Sequence, residues 1–170
     1  MARKEDARAR ARELVLQFSV LSAPVPIDRI ARGLGITVHY APFDDELSGM
    51  AFIKDGKPMI GINSLHSPTR QRFTLAHEMA HHILHREKLE TDGVHVDKGI
   101  LRRDSLASEG TDPLEIEANN FAAELLMPEQ LLNTVLDGRN VDLEDEEAVG
   151  LLARKFRVSP TALQFRIQRT

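Results

Sequence analysis

The residues His77-Glu78-Met79-Ala80-His81 form an H-E-x-x-H pattern. Residues four apart share one face of a helix, so both imidazoles can turn toward a single ion, with Glu78 beside the position left for a reacting group. The chemistry implied is metal-assisted hydrolysis of a peptide bond, with Glu78 as the general base. The chain has seven histidines, and His77, His81, His82 and His85 fall within nine residues. It has no cysteine, which excludes disulfides, thiolate metal ligands and thiol nucleophiles together. Any ion must therefore be held by histidine and carboxylate. A catalytic zinc takes three protein ligands, and Glu115, Glu117 and Glu124 are candidates for the third. Glu115 is preferred because Asn119, four residues on, shares its face and can fix the ring of a ligand histidine from the far side. Glu117 points about 160° away from Asn119 and stays open as the alternative. His82 and His85 read as residues flanking the site. Tyr40 and His85 are the weaker candidates for stabilising an oxyanion, Tyr40 more simply a strand residue.

The elements that must carry these side chains follow from periodicity and punctuation. Ser67-Pro68 reads as a cap and first-turn proline opening a long helix over TRQRFTLAHEMAHHILH. Asp112-Pro113 opens a second helix, LEIEANNFAAELLM, in the same way, and Pro128 begins a third, EQLLNTVL. Upstream, Leu14, Val15, Phe18 and Leu21 predict an amphipathic helix ending before Pro24. A short helix with Ile27, Ile30 and Leu34 follows. ITVHYA, LSGMAFI and MIGI predict a small antiparallel sheet of about three strands, the last two joined by an Asp-Gly hairpin. The polar stretch from about 87 to 111 shows no sustained period and reads as a long loop. AVGLLARKF and TALQFRI form a C-terminal helix pair after an acidic run. The class expected is α+β, mainly helical.

At 170 residues, 42% hydrophobic and 28% charged, the chain has the size and make-up of one globular domain. No apolar run reaches the ~18 residues of a membrane helix, and no secretory leader is recognisable, so a cytoplasmic location without membrane attachment is expected. Net charge is −4, which gives no overall pull toward nucleic acid. Locally, however, the last twenty residues hold five bases and no acid. Their layout, LLARKFRVSPTALQFRI, has the outline of a helix-turn-helix, which leaves DNA contact as an alternative role for this pair. Residues 1–136 are read as the domain that carries the chemistry. Residues 137–170 are read as an acidic linker and helix pair packed on it.

The stretch RFTLAHEMAHHILH, followed by ExEANNFAAELLMP, closely resembles the ImmA/IrrE family of small metallopeptidases, zinc enzymes of the gluzincin type. The resemblance implies a zincin-like fold and His77 and His81 as zinc ligands, although another divalent ion such as Mn2+ would suit the same donors. It implies Glu78 as the catalytic carboxylate and Glu115, within E-x-x-x-N, as the third ligand with Asn119 behind. It further implies a protein substrate, a helix-turn-helix transcriptional repressor cut at one site to switch phage, mobile-element or stress-response genes. The residues alone leave a rival reading, a metal-binding DNA regulator or a non-catalytic interaction module. The stretch between the two motifs departs from the family by its length.

Overall fold

A computed structural model describes residues 2–98 and 112–168. Among these residues there are eight helices and four strands, an α+β arrangement. Helix α1 spans Ala2–Gln17 and α2 Ile27–Gly33, followed by β1 Thr37–Ala41, β2 Leu47–Lys54 and β3 Lys57–Asn63. Then come α3 Pro68–Leu84, α4 Arg86–Asp92, β4 Val94–Lys98, α5 Pro113–Leu126, α6 Glu129–Leu136, α7 Glu146–Phe156 and α8 Pro160–Ile167.

The sheet has four strands rather than about three, in the order β1-β3-β2-β4, and it is mixed rather than antiparallel. β1 runs parallel to β3, while β2 is antiparallel to both β3 and β4. Asp55 and Gly56 both take positive φ in the β2–β3 turn, 53° and 76°, the backbone twist that suits a tight hairpin. The parallel pair arises because β3 inserts between β1 and β2. Asn63 fixes that crossover: its Nδ2 donates to Leu47 O at 2.8 Å and Asp44 O at 3.1 Å, and its Oδ1 accepts from Phe43 N at 3.2 Å.

The stretch expected to be a loop contains α4 and β4 as far as Lys98. Residues 99–111 lie outside those described. β4 escapes a sequence reading because it is a short edge strand whose Val94 and Val96 are left exposed while His95 and Asp97 turn inward. Period-2 alternation with the polar residues buried is the reverse of the usual signal.

Helix α1 also ends earlier than its apolar spacing predicts. It stops at Gln17, Ser19 takes a left-handed conformation at φ 53°, and Leu21 is 87% exposed. The buried side of α1 is Ala7, Ala11, Leu14 and Val15. Polar contacts run in step along α1 and α5: Arg3 with Glu117, Arg8 with Asn120, Arg12 with Glu124. The two helices therefore lie side by side in the same direction.

Helix α3 starts as its sequence predicts. Ser67 Oγ accepts from Arg70 N, and Pro68 occupies the first turn, where no N–H is needed. The helix presses on the sheet at Gly49, where a Cβ would stand 2.6 Å from Thr74 Cγ2 and 2.7 Å from Gly61 O. A side chain there would force α3 away from the strands. Asp112 caps α5 by accepting from Leu114 N at 2.9 Å. One apolar cluster joins α1, α2, the inner sheet face, α3 and α5 through α8, from Ala7 to Phe165.

Candidate metal centre

Three elements bring donors to one point: α3 through His77 and His81, the first turn of α5 through Glu115, and β4 through His95. His77 Nε2 and His81 Nε2 face each other at 3.3 Å. Glu115 spans them, with Oε2 3.0 Å from His77 Nε2 and Oε1 3.2 Å from His81 Nε2. Donors held tetrahedrally at ~2.0–2.1 Å from a zinc ion stand about 3.3 Å apart, so these three distances fit a small divalent ion between the three residues. All four residues, His95 included, offer ligand atoms within 4.8 Å of one another. The cluster could hold a metal.

The supporting contacts orient the rings. His77 Nδ1 donates to Asn119 Oδ1 at 2.9 Å, leaving Nε2 to the site. The far nitrogen of His81, Nδ1, lies 3.0 Å from His85 Nδ1, and His85 Nε2 lies 2.8 Å from Glu117 Oε2. Glu78 is fully buried beside this group. Its Oε2 meets His95 Nδ1 at 3.0 Å, and its Oε1 is buried without a hydrogen-bond partner among the described residues. Asp97, one turn of the pleat beyond His95, lies close to Glu78 and His77.

Burial and neighbours set the charges of the metal-free site. Burial pushes His81 down to about 3, against the pull of the neighbouring Glu115 carboxylate, so its ring is neutral at ordinary pH, the form that binds metal. Burial opposes ionisation of Glu115 too, but the three histidines that face it, His77, His81 and His95, hold its carboxyl far below the usual carboxylate range. Burial raises Glu78 above its ordinary value despite the bond from His95. His95 loses to burial but gains more from Glu115 and Glu78, and is raised to about 10.

Other candidates lie elsewhere. Glu117 is bonded to His85 and is not among the donors that converge with His77 and His81. Glu124 is held by Arg166 at 2.9 Å and Arg12 at 3.3 Å. His82 is buried, and its Nε2 donates to Met59 O at 2.7 Å, a clip between α3 and β3. Tyr40 sits on β1, at the sheet edge opposite β4, and donates to Asp28 at 2.6 Å; it has no place at this site. His85, expected to flank the site, is 7% exposed and bonded to His81. Sequence reasoning passed over His95. The only signal for it is the Val94-His95-Val96-Asp97 alternation after Gly93.

In the C-terminal pair, Arg166 is buried. Its Nε donates to Met127 O at 3.0 Å and its Nη2 pairs with Glu124. The central cation of the would-be recognition helix is thus directed into the protein. Arg157 takes a left-handed φ of 53° at the turn, and its carbonyl accepts from Arg72 Nε at 3.2 Å.

A helical α+β domain with a buried His/Glu cluster of this kind is of the metallopeptidase type. The chain belongs to the Peptidase_M78 family, the IrrE N-terminal-like domain, whose model matches residues 31–168. No curated protein matches it. Among solved structures, a Mycobacterium tuberculosis transcriptional regulator has a similar fold, with a TM-score of 0.62 at 18% identity, covering 96% of this chain and 46% of that one. The present chain therefore spans less than half the length of that protein, and the likeness is one of fold. No described helix is long and apolar enough to cross a membrane.

Proposed function

We propose that this protein is a zinc-dependent endopeptidase in which His77, His81 and Glu115 hold the ion, Glu78 carries the proton and Asn119 orients His77. The observation that carries the reading is the triangle of donor atoms at 3.0, 3.2 and 3.3 Å. When bound, the ion would supply Lewis-acid polarisation of the peptide carbonyl and a more acidic water. The chain's own part is proton handling and positioning. Glu78 Oε1, buried and without a partner among the described residues, takes the proton of the attacking water and returns it to the departing amine. His95 Nδ1 holds the other oxygen of Glu78 in place. Burial, which raises the Glu78 carboxyl, makes it able to keep that proton between the two transfers.

The substrate in this reading is a helix-turn-helix transcriptional repressor, cut at one site in the cytoplasm, with residues 1–136 doing the chemistry and 137–170 bracing them. Family membership supports a protein substrate. The likeness to a protein named a transcriptional regulator is in keeping with a place in gene control. The test is to incubate the zinc-loaded protein with the repressor encoded nearest to it and to look for a single new terminus by mass spectrometry. Zinc content of His77→Ala and Glu115→Ala, measured by elemental analysis, tests the ligands. Full occupancy in Glu115→Ala would move the third ligand to another carboxylate. A zinc-loaded protein that leaves the repressor intact, yet binds DNA with a steep salt dependence, would favour the regulator reading.

A further inference from the structure

We infer that His85 and Glu117 form a positioning pair that sets the tautomer of His81, keeping the Nε2 lone pair of that ring directed at the ion. The inference rests on the reading of His81 as a metal ligand. A carboxylate only accepts hydrogen bonds, so at 2.8 Å from Glu117 Oε2 it is His85 Nε2 that donates. A neutral imidazole has one N–H, and with that proton on Nε2, His85 Nδ1 is an acceptor. Its partner at 3.0 Å, His81 Nδ1, must then donate. This leaves His81 Nε2 as a lone pair at the atom that lies 3.3 Å from His77 Nε2 and 3.2 Å from Glu115 Oε1. One carboxylate thus dictates the proton order along two rings.

His77 reaches the same tautomer by a different route, a single bond to the amide oxygen of Asn119. The His81 arm is longer and ends on a charge, the arrangement that raises ligand basicity as well as fixing the ring. Its members are shielded from water: His81 is 3% exposed, His85 7% and Glu117 9%. The other oxygen of Glu117, Oε1, lies 3.9 Å from Arg3 of α1, an ion pair at the surface without a hydrogen bond. The histidine four residues beyond the H-E-x-x-H pattern is therefore a positioning residue for its second ligand.

The experiment uses the full chain, 15N-labelled at histidine, with and without zinc. A long-range 1H–15N correlation spectrum reads each tautomer, and competition with a fluorescent chelator reads the zinc dissociation constant. In the metal-free wild type His81 should be protonated at Nδ1; a spectrum showing Nε2–H there overturns the inference without any variant. His85→Phe should raise the zinc dissociation constant ~10–100-fold and mix the His81 tautomers. His85→Gln, whose amide oxygen accepts from His81 as Asn119 does from His77, should restore most of the affinity and the single tautomer. Wild-type affinity and tautomer in His85→Phe overturn the inference while leaving the metal centre intact. A wild type that takes up no more zinc than His77→Ala sinks the metal reading itself.

Discussion

Two buried polar regions share helix α5 and are finished differently. At its C-terminal end Arg166 meets Met127 O and Glu124, and the other oxygen of Glu124 meets Arg12. At its N-terminal end two imidazole nitrogens confront each other at 3.3 Å with a carboxylate against both, and an oxygen of Glu78 is buried without a partner among the described residues. The first network closes on itself, so its members serve cohesion. The second is left open among the described residues, and unsatisfied buried groups of that kind are tolerated where they do chemistry. Removing a member should therefore cost fold at one end of α5 and function at the other.

The largest effect expected is on turnover. Glu78→Gln should lower cleavage by ~10²–10⁴-fold, the usual contribution of a general base, with zinc content unchanged by elemental analysis. Cleavage at the wild-type rate would remove Glu78 from the mechanism. At the other end of the helix, Glu124→Ala leaves Arg166 buried without its partner. It should cost roughly 3–5 kcal/mol in urea unfolding, while whatever remains folded still binds zinc. If zinc uptake fails in proportion to stability, the two networks are not separate. Zinc at a hundred times its dissociation constant should stabilise the wild type by about 2.7 kcal/mol in calorimetry, and His77→Ala should show no such gain.

The metal-free protein should also respond to pH on both sides of neutrality. Burial depresses His81 to about 3 in the fold, so between its unfolded value near 6.5 and that point the unfolded chain binds more protons. Stability should then fall as pH falls, by up to about 1.4 kcal/mol per pH unit from this group. His95, raised to about 10, acts in the opposite sense. Its contribution is complete below about 6.5 and is lost as pH rises toward 10. Thermal melts from pH 4 to 10 should show a maximum near neutrality, and saturating zinc should flatten the acid limb only down to the pH at which the ligands take up protons. The smallest effect belongs to neither network but to the turn between α7 and α8. Arg157→Gly relieves a left-handed non-glycine residue and should add up to about 1 kcal/mol in urea unfolding without altering zinc affinity.

The parts of this arrangement that helical geometry alone determines were legible in the residues. Four-residue spacing puts His77 beside His81 and Glu115 in register with Asn119, and Ser67-Pro68 and Asp112-Pro113 mark where their helices begin. What depends on tertiary register was not. His95 enters because it pairs with Ala51, whose side chain is fully buried toward the helices, and no local pattern announces that pairing. His85 looked like a bystander because its partner Glu117 is 32 residues away. The parallel β1–β3 pair, which needs β3 to insert between earlier strands, was likewise invisible in strand propensities, which say nothing of order. That Arg166 turns inward from the basic C-terminal helix was hidden too, because burial of an arginine is decided by where a glutamate on another helix ends up.

Gly49 sets a limit on how far this chemistry could be moved. Because the strand has no side chain at that point, α3 rests almost on the backbone of the sheet, with Thr74 at the contact and His77 three residues further along. The depth of the histidines, and their reach to His95 on the strand beyond, is thus a property of the sheet as much as of the helix. A designer who transplants the five-residue motif onto another helix would import two imidazoles and a carboxylate, and nothing that holds them at the right depth. The minimum portable unit is the helix with its floor: α3, the glycine beneath it, and the edge strand and α5 on either side.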